Sequence, residues 1–293
     1  MTAGSLDQLL LSPATRQLAK MYLDSPNAAL LITGAEGSGR YTLAKTISAN
    51  LLQDKPETLP ASPNFIAIQV PQGQSEISID SVRTLRRRLT LKNITAKPRL
   101  VLLENAHKMS DEAQNALLKI LEEPPVNTTF ILTASTSKKL LPTIVSRTWG
   151  LSVRSVSLGE ACSFYKDYSS QEIERAWNLS GGLPGLLNAL LHKEESHPLK
   201  DAVDRAKQFI SSSVYERLIQ VDQEIANPAE LQLFLEALSK VMAALHRQAV
   251  AKNESRKSLL LKNRQLIFRL QHDLEYRANA RLLGLQLALN LKT

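Results

Sequence analysis

An α/β fold class, with a parallel sheet domain followed by an all-helical part, is predicted by three features of this 293-residue sequence. First, four near-continuous apolar runs occupy the first half: AALLIT (28–33), FIAIQV (65–70), LVLLE (100–104) and TFILTAS (129–135). Runs without polar alternation are what strands buried on both faces require, and such strands belong to parallel sheets covered by helices. Second, helical patterns separate these runs. Third, strand signals cease after about Val156 and helical spacing takes over. Alternation of strand and helix predicts a three-layer sheet domain, and the chain is long enough for more than one domain. The expected division is 1–156, 157–195 and 196–293.

The first run leads into GAEGSGRYT (Gly34–Thr42) and then TLAKTISANLL, a helical pattern. Strand, glycine-rich turn and helix are the context of a phosphate-binding loop, G-x-x-x-x-G-K-S/T. Gly34 and Gly39 take the two glycine positions and Gly37 adds a third, so the backbone cradle is kept. Arg40 stands where the lysine belongs and Tyr41 where the Mg²⁺-binding hydroxyl belongs. A guanidinium is bulkier and more planar than an ammonium. Thr42 comes one residue late, about a hundred degrees around the helix. The loop alone is equally consistent with a ligand-free turn and with the remnant of a nucleotide site.

The third run ends in Glu104-Asn105-Ala106-His107. A Walker B segment ends a strand with an acid for Mg²⁺, followed by a carboxylate that polarises the attacking water. Glu104 can fill the first role, although it is a methylene longer than aspartate. Asn105 accepts no proton and cannot fill the second. His107 is read as a surface or hydrogen-bonding histidine rather than a base. Two departures in two motifs both remove hydrolysis chemistry.

SDEAQNALLKILEEPP then reads as a helix with sharp ends. Ser110 caps it, Asp111 and Glu112 suit its positive end, and Pro124-Pro125 stops it. Ala113, Ala116, Leu117, Ile120 and Leu121 form its apolar stripe. Gly159 to Leu191 reads as a small helical unit broken at SGGLPG (180–185), and HKEESHPLK (192–200) as a linker. Beyond it, QLFLEALSKVMAALHRQAV places Leu233, Phe234, Ala237, Leu238, Val241, Met242 and Leu245 at helical spacing, and NARLLGLQLALNL follows in the same style.

Hydrophobic residues make up 43% of the chain and charged ones 22%, as in ordinary globular proteins. No apolar run has membrane-spanning length and the N-terminus lacks a signal-peptide layout, so a cytoplasmic protein without membrane contact is expected. A single cysteine, Cys162, forms neither an internal disulfide nor a cysteine-ligated zinc site. The net charge of +8 fits an acidic partner but is spread along the chain. Its one concentration is Arg83, Arg86, Arg87 and Arg88. At helical spacing Arg83, Arg86 and Arg87 share a side, which serves either as a solvated face or as a track for DNA phosphates.

ENAHKMSDEAQNALLKILEEPPVNTTFILTASTSKKLLPTIVSR resembles the core of bacterial DNA polymerase III clamp-loader subunits of the AAA+ superfamily. ALLKILEEPP, an apolar strand and LLPTIVSR carry the resemblance, while ISIDSVRTLRRRL (77–89) and SGGLPG fit it as well. The degenerate motifs are most similar to those of the delta prime branch. The resemblance implies an AAA+ domain, a helical lid and a C-terminal helical collar that joins subunits. The family's S-R-C motif stands here as Ser146-Arg147-Thr148. It implies that Arg147, supported by Ser146, is an arginine finger for ATP on a neighbouring subunit; a surface salt bridge is the plain alternative. Ser135 falls nearest the γ-phosphate sensor, with core or turn packing as its alternative. Gly185 falls near the lid arginine of hydrolysing members. LLQDKPETLPASPNF lacks the cysteines of the family's zinc module, so no zinc is expected.

The implied protein is a stator-like subunit without ATPase activity of its own, binding ATP·Mg²⁺ weakly if at all. Its implied partners are gamma/tau-like motor subunits, the delta subunit, the sliding clamp and primer–template DNA. The alternatives are an ATPase-competent motor using Arg40 and Glu104, and an AAA+-derived interaction module outside replication.

Overall fold

In the computed structural model, residues 5–71, 74, 76–90, 98–192, 198–224, 227–276 and 278–292 are described. The apolar runs form β1 (Ala29–Thr33), β2 (Phe65–Ile68), β3 (Arg99–Leu103) and β4 (Thr128–Ala134), and a fifth strand, β5 (Trp149–Ser152), joins them. All pairings are parallel, in the order β2-β3-β4-β1-β5. β5 is absent from the sequence reading for a physical reason. As an edge strand beside β1 it buries only Leu151, so no apolar run marks it.

Helices α1 (Pro13–Asp24), α2 (Arg40–Leu52), α3 (Ile79–Thr90), α4 (Asp111–Glu122) and α5 (Pro142–Ser146) cover the sheet. Alternation along the strands divides the core in two. Leu31, Val101, Leu103, Phe130 and Leu132 meet Val82 and Leu85 of α3, Leu117 of α4 and Ile144 of α5. Leu30, Ile32, Leu100, Leu102 and Ile131 meet Ala19 and Tyr22 of α1 and Leu43 and Ile47 of α2. The α4 cap forms as its sequence requires, with the Ser110 hydroxyl accepting from the Ala113 amide. Gln114 lies buried within the apolar stripe, and its carbonyl accepts the Leu141 amide at 2.8 Å, anchoring the entry to α5.

The chain divides into two compact units: residues 1–160 with 183–185, and residues 161–182 with 186–293. The helices beyond β5 are α6 (Leu158–Phe164), α7 (Ser170–Ser180), α8 (Pro184–Leu191), α9 (Pro198–Ser211), α10 (Val214–Glu224), α11 (Pro228–Ala251), α12 (Lys257–Glu275) and α13 (Ala280–Asn290). Within the second unit α11 packs against α7, α9 and α12, which draws the expected lid helices and collar helices into one cluster. Phe209 and Phe234 meet edge to face at 5.2 Å between α9 and α11. Of the predicted linker, residues 193–197 lie outside the described residues, and α9 begins at Pro198. Among the described residues no helix is long and apolar enough to cross a membrane.

Arg217 in α10 is a core residue that sequence pattern did not reveal. Its side chain is buried and donates to three carbonyls, Phe209 O, Ile210 O and Leu291 O, each at 2.8 Å. Two of these lie in the last turn of α9 and one just past α13, so a single planar cation caps the negative ends of two helices.

Candidate functional site: a degenerate phosphate loop and a separate exposed arginine

A parallel sheet aligns the carboxyl ends of its strands along one edge, where ligands of α/β folds bind. Three strand ends are tied together here. The Gly34 amide donates to Ala134 O at 3.1 Å, and the Asn105 amide donates to the Thr133 hydroxyl at 3.0 Å. The loop after β1, the end of β3 and the end of β4 therefore share one site.

The loop keeps its glycines for steric reasons. A Cβ on Gly34 would lie 2.5 Å from the Ser38 hydroxyl, and Gly39 holds φ +81°, where side chains are strained. α2 starts at Arg40, whose guanidinium does not reach outward. It is 5% exposed and donates to Gly34 O at 3.0 Å, to a Glu36 carboxylate oxygen at 2.7 Å and to Asn105 Oδ1 at 2.7 Å. Asn105 sits at φ 54°, a left-handed conformation that asparagine tolerates well.

Burial holds the Glu104 carboxyl above the usual carboxylate range; Arg40 opposes that rise and the Glu36 charge adds to it. Burial also raises the Tyr41 phenol, with the Glu104 charge as a second cause. Tyr41 and Glu104 thus feel one another where a hydroxyl and an acid would share Mg²⁺ in a working site. Thr42 is exposed on α2, apart from this cluster.

His107 accepts the Ser135 amide on Nδ1 at 3.3 Å, which leaves its proton on Nε2. Ser135 is thereby held through its backbone by a histidine. Burial lowers the His107 pKa to about 4, and the Arg40, Lys108 and Lys139 charges push the same way. A histidine whose folded pKa lies below its unfolded value of about 6.5 contributes stability that is present above pH 6.5 and lost as pH falls towards 4. Urea unfolding across that window should show wild-type stability falling with acid. His107→Gln, which keeps an acceptor, should flatten that part of the profile; a parallel fall in both proteins would contradict the assignment.

Residues 183–185 belong with the α/β unit, and Gly185 lies on the loop itself. A Cβ there would be 2.8 Å from the Gly39 nitrogen and 2.9 Å from the Gly37 oxygen. Only glycine fits so close to the loop backbone.

Arg147 follows α5 and stands apart from this cluster's contacts. It pairs with Glu122 at 2.9 Å and donates to Thr143 O at 3.2 Å, with its side chain 39% exposed. Ser146 also turns back to Thr143 O, at 3.1 Å. Arg83, Arg86 and Arg87 of α3 line one groove of ≈ 550 Å³ with Glu112, Asn115 and Lys119 of α4. Arg83 is paired with Asp80 at 3.1 Å, and Arg88 lies outside the groove lining. The sequence reading did not single out Glu36, Glu122 or Gln114. Only Glu36 carried a signal, its four-residue spacing from Arg40.

The glycine loop after β1, the acid just past β3 and the helices flanking the parallel sheet define a P-loop-type α/β domain. Residues 13–157 match the family model described as DNA polymerase III, delta subunit. Through that region the chain is similar to the AAA+ clamp-loader subunits of DNA polymerase III, delta prime among them. It is 30% identical over 174 residues to DNA polymerase III subunit delta' of Pseudomonas aeruginosa, covering 53% of each chain. It is also 30% identical over 135 residues to the gamma/tau subunit of Mycobacterium tuberculosis, covering 42% of this chain and 23% of that one. The chain thus spans about half the length, or less, of these curated relatives. Across 94% of this chain and 97% of the other, the fold matches a crystal structure of a DNA polymerase III gamma subunit-related protein from Thermotoga maritima, with TM-score 0.58 and 17% identity.

Proposed function

We propose that this chain is a stator-like clamp-loader subunit that hydrolyses no ATP itself and presents Arg147 to ATP on a neighbouring subunit. Its partners in this reading are gamma/tau-like motor subunits, the delta subunit and the sliding clamp, with primer–template DNA held by the assembled complex. The observation that carries the first half is Arg40, drawn onto Gly34, Glu36 and Asn105 instead of reaching outward. Asn105 also stands where hydrolysis needs a carboxylate, and Tyr41 where Mg²⁺ needs a short hydroxyl. Each loss removes orders of magnitude from phosphoryl transfer. The isolated protein should therefore release phosphate from ATP no faster than a buffer blank in a steady-state assay. Turnover comparable to that of a motor subunit would overturn this reading in favour of an ATPase-competent motor.

The groove between α3 and α4 supports DNA contact as part of the same reading, because it collects four cations at phosphate-reaching positions. In the assembled loader, Arg86→Ala with Arg87→Ala should weaken primer–template binding and flatten its salt dependence, since each lost phosphate contact lowers the slope by about one. Unchanged affinity and slope would leave the groove a solvated face. Failure to assemble with motor and delta subunits would favour an interaction module outside replication.

A further inference from the structure

We infer that Arg40 is the resident occupant of the phosphate site: its guanidinium takes the place that Mg²⁺ and a nucleotide would fill, and Gly185 packs on the loop at Gly37 and Gly39. This deepens the non-hydrolysing reading, because it says what the site holds instead of a nucleotide.

A working loop balances charge from outside, with phosphate on its amides and Mg²⁺ between the helix start and the acidic strand end. Here the balance is internal. The acids of the site are Glu36 and Glu104, and the buried cation among them is Arg40. The guanidinium spans from the Gly34 carbonyl to Asn105, two residues past β3 and 65 residues from Arg40 itself. Without it, Glu104 would face the Glu36 charge with its main relieving cation gone.

The second observation is independent. The main chain of Gly185 crowds the loop: a Cβ on it would stand 2.8 Å from the Gly39 nitrogen, on the face of an amide that a phosphate would use. A phosphate at that face would have to displace it. The residues present therefore do not fit ATP·Mg²⁺.

The test uses the full chain alone, with thermal unfolding as the readout. ATP·Mg²⁺ at millimolar concentration should leave the wild-type Tm within about 1 °C, since a ligand stabilises only the state that binds it. Arg40→Ala should lower Tm by about 5 °C or more, because a buried charge network loses its centre. It also leaves a hole of guanidinium shape and a surplus of negative charge. Millimolar guanidinium, far below denaturing levels, should then restore part of the lost Tm in a saturable way, while sodium chloride at equal ionic strength should not. Should the alanine variant fail to fold, Arg40→Lys serves instead: one ammonium cannot reach all three acceptors, so its Tm should fall between that of wild type and unfolding at room temperature.

A wild-type Tm raised by ATP·Mg²⁺, an Arg40 variant as stable as wild type, or an alanine variant indifferent to guanidinium would each overturn the inference. These outcomes are separate from the fate of the stator reading. ATP-induced stabilisation without turnover would sink the resident cation and leave a non-hydrolysing stator standing. Turnover by the isolated chain would sink the stator.

Discussion

Under the proposed stator role, Arg147→Ala should leave this chain folded and able to join its complex, yet cut ATP hydrolysis about a thousandfold or more at the one motor site it would face. The stability half follows from the geometry. Arg147 and Glu122 form a half-exposed pair, 39% and 43% accessible, and such pairs contribute at most about 1 kcal/mol. The rate half follows from chemistry. A planar guanidinium that reaches equatorial phosphate oxygens stabilises charge spread over the transferring group. Within the free chain, Glu122 gives Arg147 a carboxylate partner of the kind a phosphate would replace. Other motor sites would keep their own arginines, so steady-state loss in the whole loader is expected to be partial. Single-turnover hydrolysis in a loader whose other sites are disabled isolates the effect. Arg147→Lys should rescue poorly, because an ammonium lacks the fork. Undiminished hydrolysis at that isolated site would return Arg147 to a surface ion pair.

Arg217→Met should produce the largest loss of stability of any single change to the helical unit, about 3 kcal/mol or more. Methionine replaces much of the volume, so the loss isolates the hydrogen bonds. Three carbonyls would lose the guanidinium, only Phe209 O keeping a second donor among the described residues, the Ser212 amide at 3.4 Å, and two helix ends would lose their cation. Among the described residues Arg217 forms no salt bridge, so no freed acid complicates the comparison. Burial already holds its pKa below the ordinary value, a sign that the three carbonyls rather than water must solvate it. Arg217→Lys should recover only part of the loss, since three diverging acceptors suit a planar fork. Chemical denaturation should show a shifted midpoint with an unchanged slope. A change below about 1 kcal/mol would mean that water reaches these carbonyls.

The elements most legible in the sequence were those whose burial is complete or whose ends are chemically marked. β1, β3 and β4 read as apolar runs because both faces of each are covered. α4 was legible because Ser110, two acids and two prolines bracket it. β5 was not, because an edge strand needs pairing rather than a continuous apolar run. The glycine loop taken alone stayed open between a ligand-free turn and the remnant of a nucleotide site; its residue types showed only that the lysine and the short hydroxyl are missing.

What the sequence determined by itself was therefore chemical inventory: which groups stand at positions where phosphate-transfer chemistry is done, and which are missing. Tyr41 and Asn105 remove a hydroxyl and a carboxylate whatever the fold does with them. Tertiary structure decided where the remaining groups are spent. Arg40 is four residues from Glu36 but 65 from Asn105, and only the parallel sheet brings those acceptors to one guanidinium. Nothing in the sequence sets Arg217 apart; its place is made where α9 and α13 turn their carbonyl ends towards it. Gly185 acquired a role only by lying on a loop nearly 150 residues earlier in the chain. Local spacing fixes a residue's chemistry, but burial and long-range acceptors fix its task, and neither is written in periodicity.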